Sequence, residues 1–258
     1  MHVTWLDSNS WLWEIGGQRV LVDPWLVGPL VFGQAKWLFC GEHPTPRSLP
    51  DSVDLILLSQ GLPDHAHPPT LQALSKSIPV IGSPSAAQVA RDLGFTHVTA
   101  LAHGEVQTHG SLTIKAVPGA PLGPFQREHG YVLTEQATGL KLFYEPHGFH
   151  DESLRQEGPV DVVITPMVDL ALPLVGPIIR GCRSAQELAE WLTPQVMLPT
   201  AEGGEATYDG VLLSVLSVKG SPDAVRRSLD QTDHRVQVLT PKVGTPIELA
   251  LKSFATSG

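Results

Sequence analysis

The sequence predicts an α+β fold in which two β-sheets pack face to face and helices cover both outer faces, a four-layer αββα sandwich. Two observations favour it. Residues 1–23 read as an antiparallel meander of short apolar strands, and later residues alternate strands with helices. A single doubly wound sheet would need that alternation from the start. The 258 residues are expected to form one domain of two β/α halves, approximately 1–125 and 126–258.

Hydrophobic periodicity and turn residues place the individual elements. Gly16-Gly17 predicts a tight hairpin turn between two of the strands. Strands are predicted at 2–6, 11–15, 19–22, 54–58, 79–81, 97–101, 112–117, 130–134, 140–144, 160–164, 196–199, 211–218 and 235–239, and helices at 69–76, 84–93, 184–192 and 221–230. Ser83-Pro84 and Ser221-Pro222 each put proline in a first helical turn, which supports two of the helix starts.

Composition excludes several classes of partner. The chain has 17 Lys and Arg against 26 Asp and Glu, a net charge of −9, which argues against nucleic acid and against an anionic membrane surface. The longest apolar run, 168–179, contains two prolines and is too short for a transmembrane segment. The N-terminus does not resemble a signal peptide, and Cys40 and Cys182 are predicted to be reduced thiols. We therefore expect a cytoplasmic protein.

Chemistry-bearing residues follow four predicted strands. They lie in Asp23-Pro24-Trp25, in LSQGLPDHAHPPTL (58–71), in EPHGFHDE (145–152) and in LPTAEGGE (198–205). The ends of strands converge on one edge in layered α/β folds, so these four loops are expected to build one pocket. Nucleophile-elbow, Walker and dinucleotide-binding motifs are absent from the sequence.

The order of these motifs resembles the metallo-β-lactamase superfamily over roughly residues 2–205. The resemblance rests on WLDSNSWLWEIGGQRVLVDPWL, then DLILLSQGLPDH, IKAVPGA, GLKLFY and VMLPT. More narrowly, the chain is similar to the branch that contains L-ascorbate-6-phosphate lactonase and N-acyl-phosphatidylethanolamine phospholipase D. The resemblance implies the αββα sandwich and a metal-dependent hydrolase.

The metal motif of that family is incomplete in this chain. In its His-x-His-x-Asp-His motif, Asp64 and His65 match the second half, but Gln60 and Leu62 occupy the positions of the first two histidines. The next expected histidine falls near Pro121. His147 lies roughly where the bridging carboxylate is expected. The last histidine position is Ala201, with Glu202 beside it.

The resemblance therefore implies at most one metal ion, held by Asp64, His65, His147 and Glu202, with zinc favoured and iron or manganese as alternatives. Asp64 is predicted to act with His65 in catalysis, as a base, on an ester, lactone or phosphodiester. Asp23 is predicted to orient a neighbouring histidine and Glu145 to accept hydrogen bonds.

Several alternatives remain open from the sequence. Asp64 can be a turn or helix-cap residue, His65 a packed core histidine, and His67 a residue that supports a ligand from behind or lies at the surface. At the level of function, the site can hold no metal, and the chain can be a non-catalytic binding or scaffold protein. A third hypothesis is metal-free acid–base chemistry by His65 and His147.

Two loops are unusually apolar. The segments 25–39 and 166–179 are predicted to wall a pocket for an apolar small molecule, to form a homo-oligomer interface, or simply to pack on the core. Few Lys or Arg residues lie near the presumed site, which favours an apolar substrate over a sugar phosphate.

Overall fold

A computed structural model describes residues 1–33, 35–122, 126–173, 175–232 and 235–252, and the statements below concern these residues. The fold is built on two seven-stranded sheets. In spatial order, the strands of the first sheet are β20 (Ile247–Glu248), β1 (His2–Asp7), β2 (Ser10–Ile15), β3 (Gln18–Val22), β6 (Leu55–Leu58), β7 (Val80–Gly82) and β8 (Val98–Ala100). Its first three chain segments form the predicted meander, and β3, β6, β7 and β8 are parallel.

The second sheet has a similar mixed construction. In spatial order it contains β19 (Gln237–Val238), β16 (Val196–Thr200), β13 (Val162–Pro166), β12 (Lys141–Tyr144), β11 (Gln126–Glu135), β10 (Leu112–Leu122) and β9 (Val106–His109). Strands β9 to β12 pair antiparallel, whereas β12, β13, β16 and β19 are parallel. The parallel strands end at the same edge of the sheet, where the loops of interest begin.

Helices cover the outer face of each sheet. Helices α1 (Pro68–Ala73) and α2 (Pro84–Asp92) share a hydrophobic cluster with the first sheet, and α3 (Gly181–Leu192) and α4 (Pro222–Leu229) share one with the second. A third cluster takes side chains from both sheets, among them Trp11, Trp13, Tyr131 and Tyr144. Burial on both faces of both sheets confirms the predicted four-layer sandwich. The division into two halves stays a prediction.

The predicted strand 211–218 is wrong. Residues Val211–Ser214 form a 3₁₀-helix, and a strand, β18, covers only Ser217–Gly220. Gly210 has a φ of 121°, and the amides of Val211 and Leu212 donate to the carbonyls of Trp37 and Leu38. These bonds to another segment compete with strand pairing, and a short apolar run does not by itself distinguish the two outcomes.

The two apolar segments have buried and exposed parts. β4 (Leu30–Val31), β5 (Cys40–Glu42) and β17 (Thr207–Asp209) make a three-stranded sheet at the first segment, and β14 (Val168–Leu172), β15 (Gly176–Arg180) and β18 make another at the second. Trp25 and Leu30 are buried, but Trp37 is 70% exposed and Val175 71% exposed. Each segment therefore anchors in the core and presents part of its apolar surface.

A further 3₁₀-helix, Glu152–Glu157, follows the 145–152 loop. Membrane-spanning length and apolarity are not reached by any helix within the described ranges.

Candidate metal site

The predicted convergence of strand-end loops occurs at the edge where β3, β6 and β12 finish. Asp23 follows β3 directly, and its carboxylate accepts a hydrogen bond from the backbone amide of Ser59, which follows β6 (2.8 Å). Tyr144, the last residue of β12, donates its hydroxyl to the same carboxylate at 2.7 Å. This carboxylate therefore connects both sheets at the base of the site.

His65 is oriented by that carboxylate. Its Nδ1 lies 2.7 Å from Asp23 Oδ2 and 3.0 Å from Ser59 Oγ, and the side chain is fully buried. The network assigns a proton to Nδ1, because the carboxylate is an acceptor only. Nε2 faces Asp64 Oδ2 at 3.2 Å and Asn9 Nδ2 at 3.4 Å. The contact confirms that Asp23 orients a histidine, as carboxylates do behind metal-binding imidazoles.

Asp64, His65 and His147 come together. One potential ligand atom from each lies within 4.8 Å of the others. Asp64 Oδ1 is buried without a hydrogen-bond partner, while the side chain as a whole keeps 23% of its surface exposed. Burial alone would raise the pKa of Asp64, but the charge and hydrogen bond of His65, with His147 behind, hold that pKa below its ordinary value. Asp64 is therefore an accessible, ionised carboxylate.

The two imidazoles are shifted in the opposite direction. Burial would lower the pKa of His65, but Asp64 and Asp23 raise it well above its ordinary value. Burial would likewise lower the pKa of His147, but the charge of Glu128 and its contact with the ring raise that pKa above its ordinary value. The ring centroids of His65 and His147 are 5.0 Å apart. Two histidines with cationic character this close need anionic neighbours, which Asp23, Asp64 and Glu128 provide.

A second group of potential ligands lies on the other side of His147. Glu128 on β11, Glu145 after β12 and His147 also present ligand atoms within 4.8 Å of one another. Glu145 Oε2 accepts hydrogen bonds from the amides of His147 (3.1 Å) and Phe149 (2.8 Å), which confirms its predicted role as an acceptor. The sequence prediction missed Glu128, because the strand was expected to begin only at residue 130.

Glu202 is placed differently from the other predicted ligands. It belongs to neither group of potential metal ligands found in the described residues. Its backbone bridges to Ser8, and its Oε1 is buried without a hydrogen-bond partner. Burial raises the pKa of Glu202 to about 7. The residue is therefore a lone, partly buried carboxyl group beside the site, and its role as a ligand stays a prediction.

The Ala66-His67 tail of the 58–71 loop is structural. His67 is 2% exposed, its Nδ1 lies 3.1 Å from Thr70 Oγ1, and its Nε2 lies 3.2 Å from the Pro29 carbonyl. Thr70 Oγ1 already accepts from the amides of Leu26 and Val27, so its own proton points to Nδ1. Both ring nitrogens of His67 are thus engaged, and burial lowers its pKa.

Backbone conformation adds an independent signal at this edge. Asp7, Ser8, Asp23 and Ala201 have φ values of 96°, 48°, 40° and 59°, in the left-handed region that side chains other than glycine rarely adopt. Asp7 holds the 201–209 loop, since its carboxylate accepts from the amides of residues 204, 205 and 206. Strained positions of this kind cluster at functional sites.

The comparisons with known proteins concern the family and the fold. A family model described as the beta-lactamase superfamily domain matches residues 2–201. The chain belongs to the metallo-β-lactamase superfamily. The narrower likeness to the lactonase and phospholipase D branch stays a prediction.

Two solved structures show the same fold. The isothiocyanate hydrolase from Delia radicum gut bacteria superposes with a TM-score of 0.70 at 18% identity, covering 96% of this chain and 99% of that one. CmlA, a diiron β-hydroxylase from Streptomyces venezuelae, superposes with a TM-score of 0.67 at 17% identity, covering 96% of this chain and 54% of that one. At these identities the likeness concerns the fold alone.

One curated relative shares a local stretch of sequence. Cytidine monophosphate-N-acetylneuraminic acid hydroxylase from Danio rerio is 41% identical over 71 residues, which are 26% of this chain. The match spans only 11% of that hydroxylase.

Proposed function

We propose that the chain is a metal-dependent hydrolase in which Asp64, His65 and His147 bind one divalent cation. The observation that carries the proposal is the convergence of their ligand atoms within 4.8 Å, at a point where Asp64 Oδ1 is buried without a partner. A buried carboxylate oxygen without a hydrogen bond is costly, and a cation would remove that cost.

The donor set fits such a cation. His65 commits Nδ1 to Asp23 and so keeps Nε2, on the side of Asp64, for a ligand. Two imidazoles and one carboxylate with an open position suit catalytic zinc, and also iron or manganese. Glu202 is proposed as a further ligand from the loop after β16, reached by movement of that loop.

Each of these residues has a distinct part in the proposed hydrolysis. When bound, a divalent cation supplies Lewis acidity to a carbonyl or phosphoryl oxygen and makes a neighbouring water more acidic. Asp23 holds the ring of His65 in one orientation. Asp64, which is ionised and keeps part of its side chain exposed, is positioned to accept the proton that the attacking water gives up.

The proposed substrate is an apolar small molecule with an ester, lactone or phosphodiester bond. Two features support it. Within the described residues, no Lys or Arg side chain contacts Asp64, His65 or His147, whereas phosphate-rich substrates are usually held by such side chains. Tyr208 packs against Trp25 and Phe39, and burial, with smaller contributions from the charges of Asp7 and Asp64, raises its pKa to about 12. The aromatic residues of the apolar segment 25–39 thus surround a partly buried tyrosine on the side of the fold that carries Asp7.

The exposed part of the apolar segments supports a further proposal about partners. Trp37 and Val175 in these segments are 70% and 71% exposed, and Val211 and Val218 outside them are 59% and 61% exposed; these side chains are proposed to offer a surface for self-association.

A metal-dependent hydroxylase is the second candidate. The observation that favours it is the carboxylate pair Glu128 and Glu145 beside His147, since oxygen-rich ligand sets suit iron. The superposition on a protein called a diiron β-hydroxylase points the same way.

Elemental analysis of protein purified without chelators tests the leading proposal. Wild type is expected to contain about one equivalent of a divalent metal or more, and His65→Ala and Asp64→Asn are expected to lose it, because each removes a ligand. Hydrolysis is then measured on acyl esters, lactones and phosphodiesters of increasing chain length. Glu202→Gln shows in the same assay whether that residue is a ligand.

His109→Ala is the matched control, because His109 lies on β9 and belongs to neither group of potential ligands. It is expected to keep the metal and the activity. Trace metal that is unchanged in His65→Ala would contradict the proposal. A full complement of metal with no turnover of any ester, lactone or phosphodiester would instead support the non-catalytic binding protein, or the hydroxylase if the metal is iron.

A further inference from the structure

The second group of potential ligands, Glu128, Glu145 and His147, is created by the pairing of β11 with β12. Tyr131 on β11 lies opposite Tyr144 on β12, so the antiparallel register continues with Gly130 beside Glu145 and with Glu128, two residues earlier, beside His147. Gly130 leaves room for this, since a Cβ there would lie 3.2 Å from Glu145 Cγ. The two carboxylates come together as a result, with Glu128 3% and Glu145 1% exposed.

Three polar atoms in this group have no hydrogen-bond partner. They are Glu128 Oε2, Glu145 Oε1 and His147 Nδ1. Glu145 cannot turn away, because its Oε2 is held by the amides of His147 and Phe149. Glu128 Oε2 and His147 Nδ1 face each other as an ion pair at 2.6 Å, so Glu145 Oε1 is the atom of this group that lacks any partner. A carboxylate oxygen that is this deeply buried without a partner indicates a missing ligand.

The electrostatics of the pair point to a cation. Both carboxylates are buried, and among the described residues the cationic side chain recorded against them is His147, which pairs with Glu128 at 2.6 Å. A buried carboxylate without a Lys or Arg partner is unfavourable when ionised. Without a cation the two glutamates can share one proton, and with a cation both can ionise.

Space is also left beside the unpartnered carboxylate oxygen. Gly119 on β10 faces it, and a Cβ at that position would lie 3.2 Å from Glu145 Oε1 and 3.2 Å from the carbonyl oxygen of Glu128. Any side chain at residue 119 would therefore narrow the space into which the two carboxylates project. A glycine here keeps the position open to a small ion.

We propose that Glu128, Glu145 and His147 form a second cation position, beside the one formed by Asp64, His65 and His147. Two carboxylates and one imidazole suit an oxygen-preferring divalent ion such as Mn²⁺ or Fe²⁺. The inference rests on the proposed function only in sharing His147, whose ring has two nitrogens. The site would then hold two neighbouring ions, with glutamates in place of the missing histidines at 60 and 62.

Titration of chelator-treated protein with Mn²⁺, followed by the electron paramagnetic resonance of the free ion, tests this. Wild type is expected to bind two ions per chain. Glu145→Gln and Glu128→Gln are each expected to lose one ion, or to weaken its binding at least about 10-fold, and to keep the other. His65→Ala is expected to lose the other ion. Glu190→Gln, on the exposed face of α3, is the control and should bind two.

Gly119→Ala gives a second test that leaves every ligand in place. Its methyl group should weaken one of the two ions selectively, with the thermal unfolding of the ion-free protein showing that the fold is kept. A single ion that is lost in His65→Ala but kept in both glutamine variants would overturn the second position and leave the proposed function intact. A single ion that is lost in Glu145→Gln but kept in His65→Ala would overturn the proposed site at Asp64 and His65 and would support the position at Glu128 and Glu145. No bound ion in wild type would overturn both.

Discussion

The two sides of the site differ in how completely their polar groups are paired. On the side of His65, the Asp23 carboxylate accepts from the amide and hydroxyl of Ser59, from the Tyr144 hydroxyl and from His65 itself, at 2.5–2.8 Å. On the side of Glu145, the carboxylate oxygen Oε1 of Glu145 is buried without a partner, and the Glu128 carboxylate has only the ion pair with His147 Nδ1 at 2.6 Å. The first side is a complete hydrogen-bond network, and the second is complete only if something is bound.

This difference indicates that the hydrogen-bond network around Asp23 stabilises the fold, whereas the carboxylates of Glu128 and Glu145 are arranged to bind a ligand. A fully paired buried network is costly to break, because each group that remains loses its partner. An unpaired buried cluster already carries its cost, so changing it costs the fold little and can even help. Substitutions on the two sides should therefore have opposite effects on stability.

Asp23→Ala should have the largest effect. It leaves Ser59, Tyr144 and a cationic His65 without their acceptor, and breaking a buried ionic network in this way costs about 3–5 kcal/mol of unfolding free energy. For a chain of this size, that corresponds to a fall in Tm of roughly 10 °C. Metal affinity should fall about 10–100-fold, because the ring of His65 loses its orientation. Thermal unfolding and zinc titration measure the two effects.

Asp54→Ala is the control for that substitution. Asp54 is an exposed carboxylate that accepts one backbone hydrogen bond, from Arg19, and its removal should cost about 1 kcal/mol or less. If Asp23→Ala cost no more than Asp54→Ala, the paired side would not be the structural half of the site.

Local sequence signals were sufficient for the paired side. The strand 19–22 that ends in Asp23 and the strand 54–58 that leads into the 58–71 loop are both close to the observed β3 and β6. Helix starts at Pro84 and Pro222 agree with the prediction for the same reason, since serine and proline act within one turn. The convergence of Asp64, His65 and His147 followed from the rule that strand ends share an edge.

The unpaired side needed information that one sequence does not contain. Glu128 lies within a ten-residue strand, Gln126–Glu135, whose predicted start at residue 130 was four residues too late, and its meeting with Glu145 depends on the register of β11 against β12. Register decides which residues of two strands lie side by side, and the predicted strand bounds did not specify it. The run 211–218 failed for a related reason, because its partner is the distant segment around Trp37.

Glu145→Gln should change how the unfolding free energy depends on pH. In ion-free protein the folded state keeps the proton on Glu145 up to about pH 7, whereas the unfolded chain releases it near 4.5. Between these values the folded state binds more protons, so the unfolding free energy falls as pH rises. Glu145→Gln should remove this destabilising contribution, about 3 kcal/mol near pH 7, and so be the more stable protein at that pH.

Urea unfolding of both proteins from pH 4.5 to 6.5 measures the difference. The raised pKa values of His65 and His147 affect the stability mainly above that window, because the unfolded histidines release their protons near 6.5. In Glu190→Gln, the unfolding free energy should change with pH as it does in wild type. If it also changed in the same way in Glu145→Gln, Glu145 would not be a buried acid with a raised pKa.

His67→Gln should have the smallest effect and marks where the site ends. The ring of His67 bonds Thr70 and the Pro29 carbonyl, and a glutamine amide can replace one of these contacts, so the loss should be about 1 kcal/mol. Metal affinity should stay at the wild-type value, because both nitrogens of His67 are used by the protein. His65→Gln, two residues earlier, should instead abolish binding at that position. If the same titration showed equal losses of metal in the two variants, His67 would be a metal ligand. Its hydrogen bonds to Thr70 and Pro29 would then have to break when the metal binds.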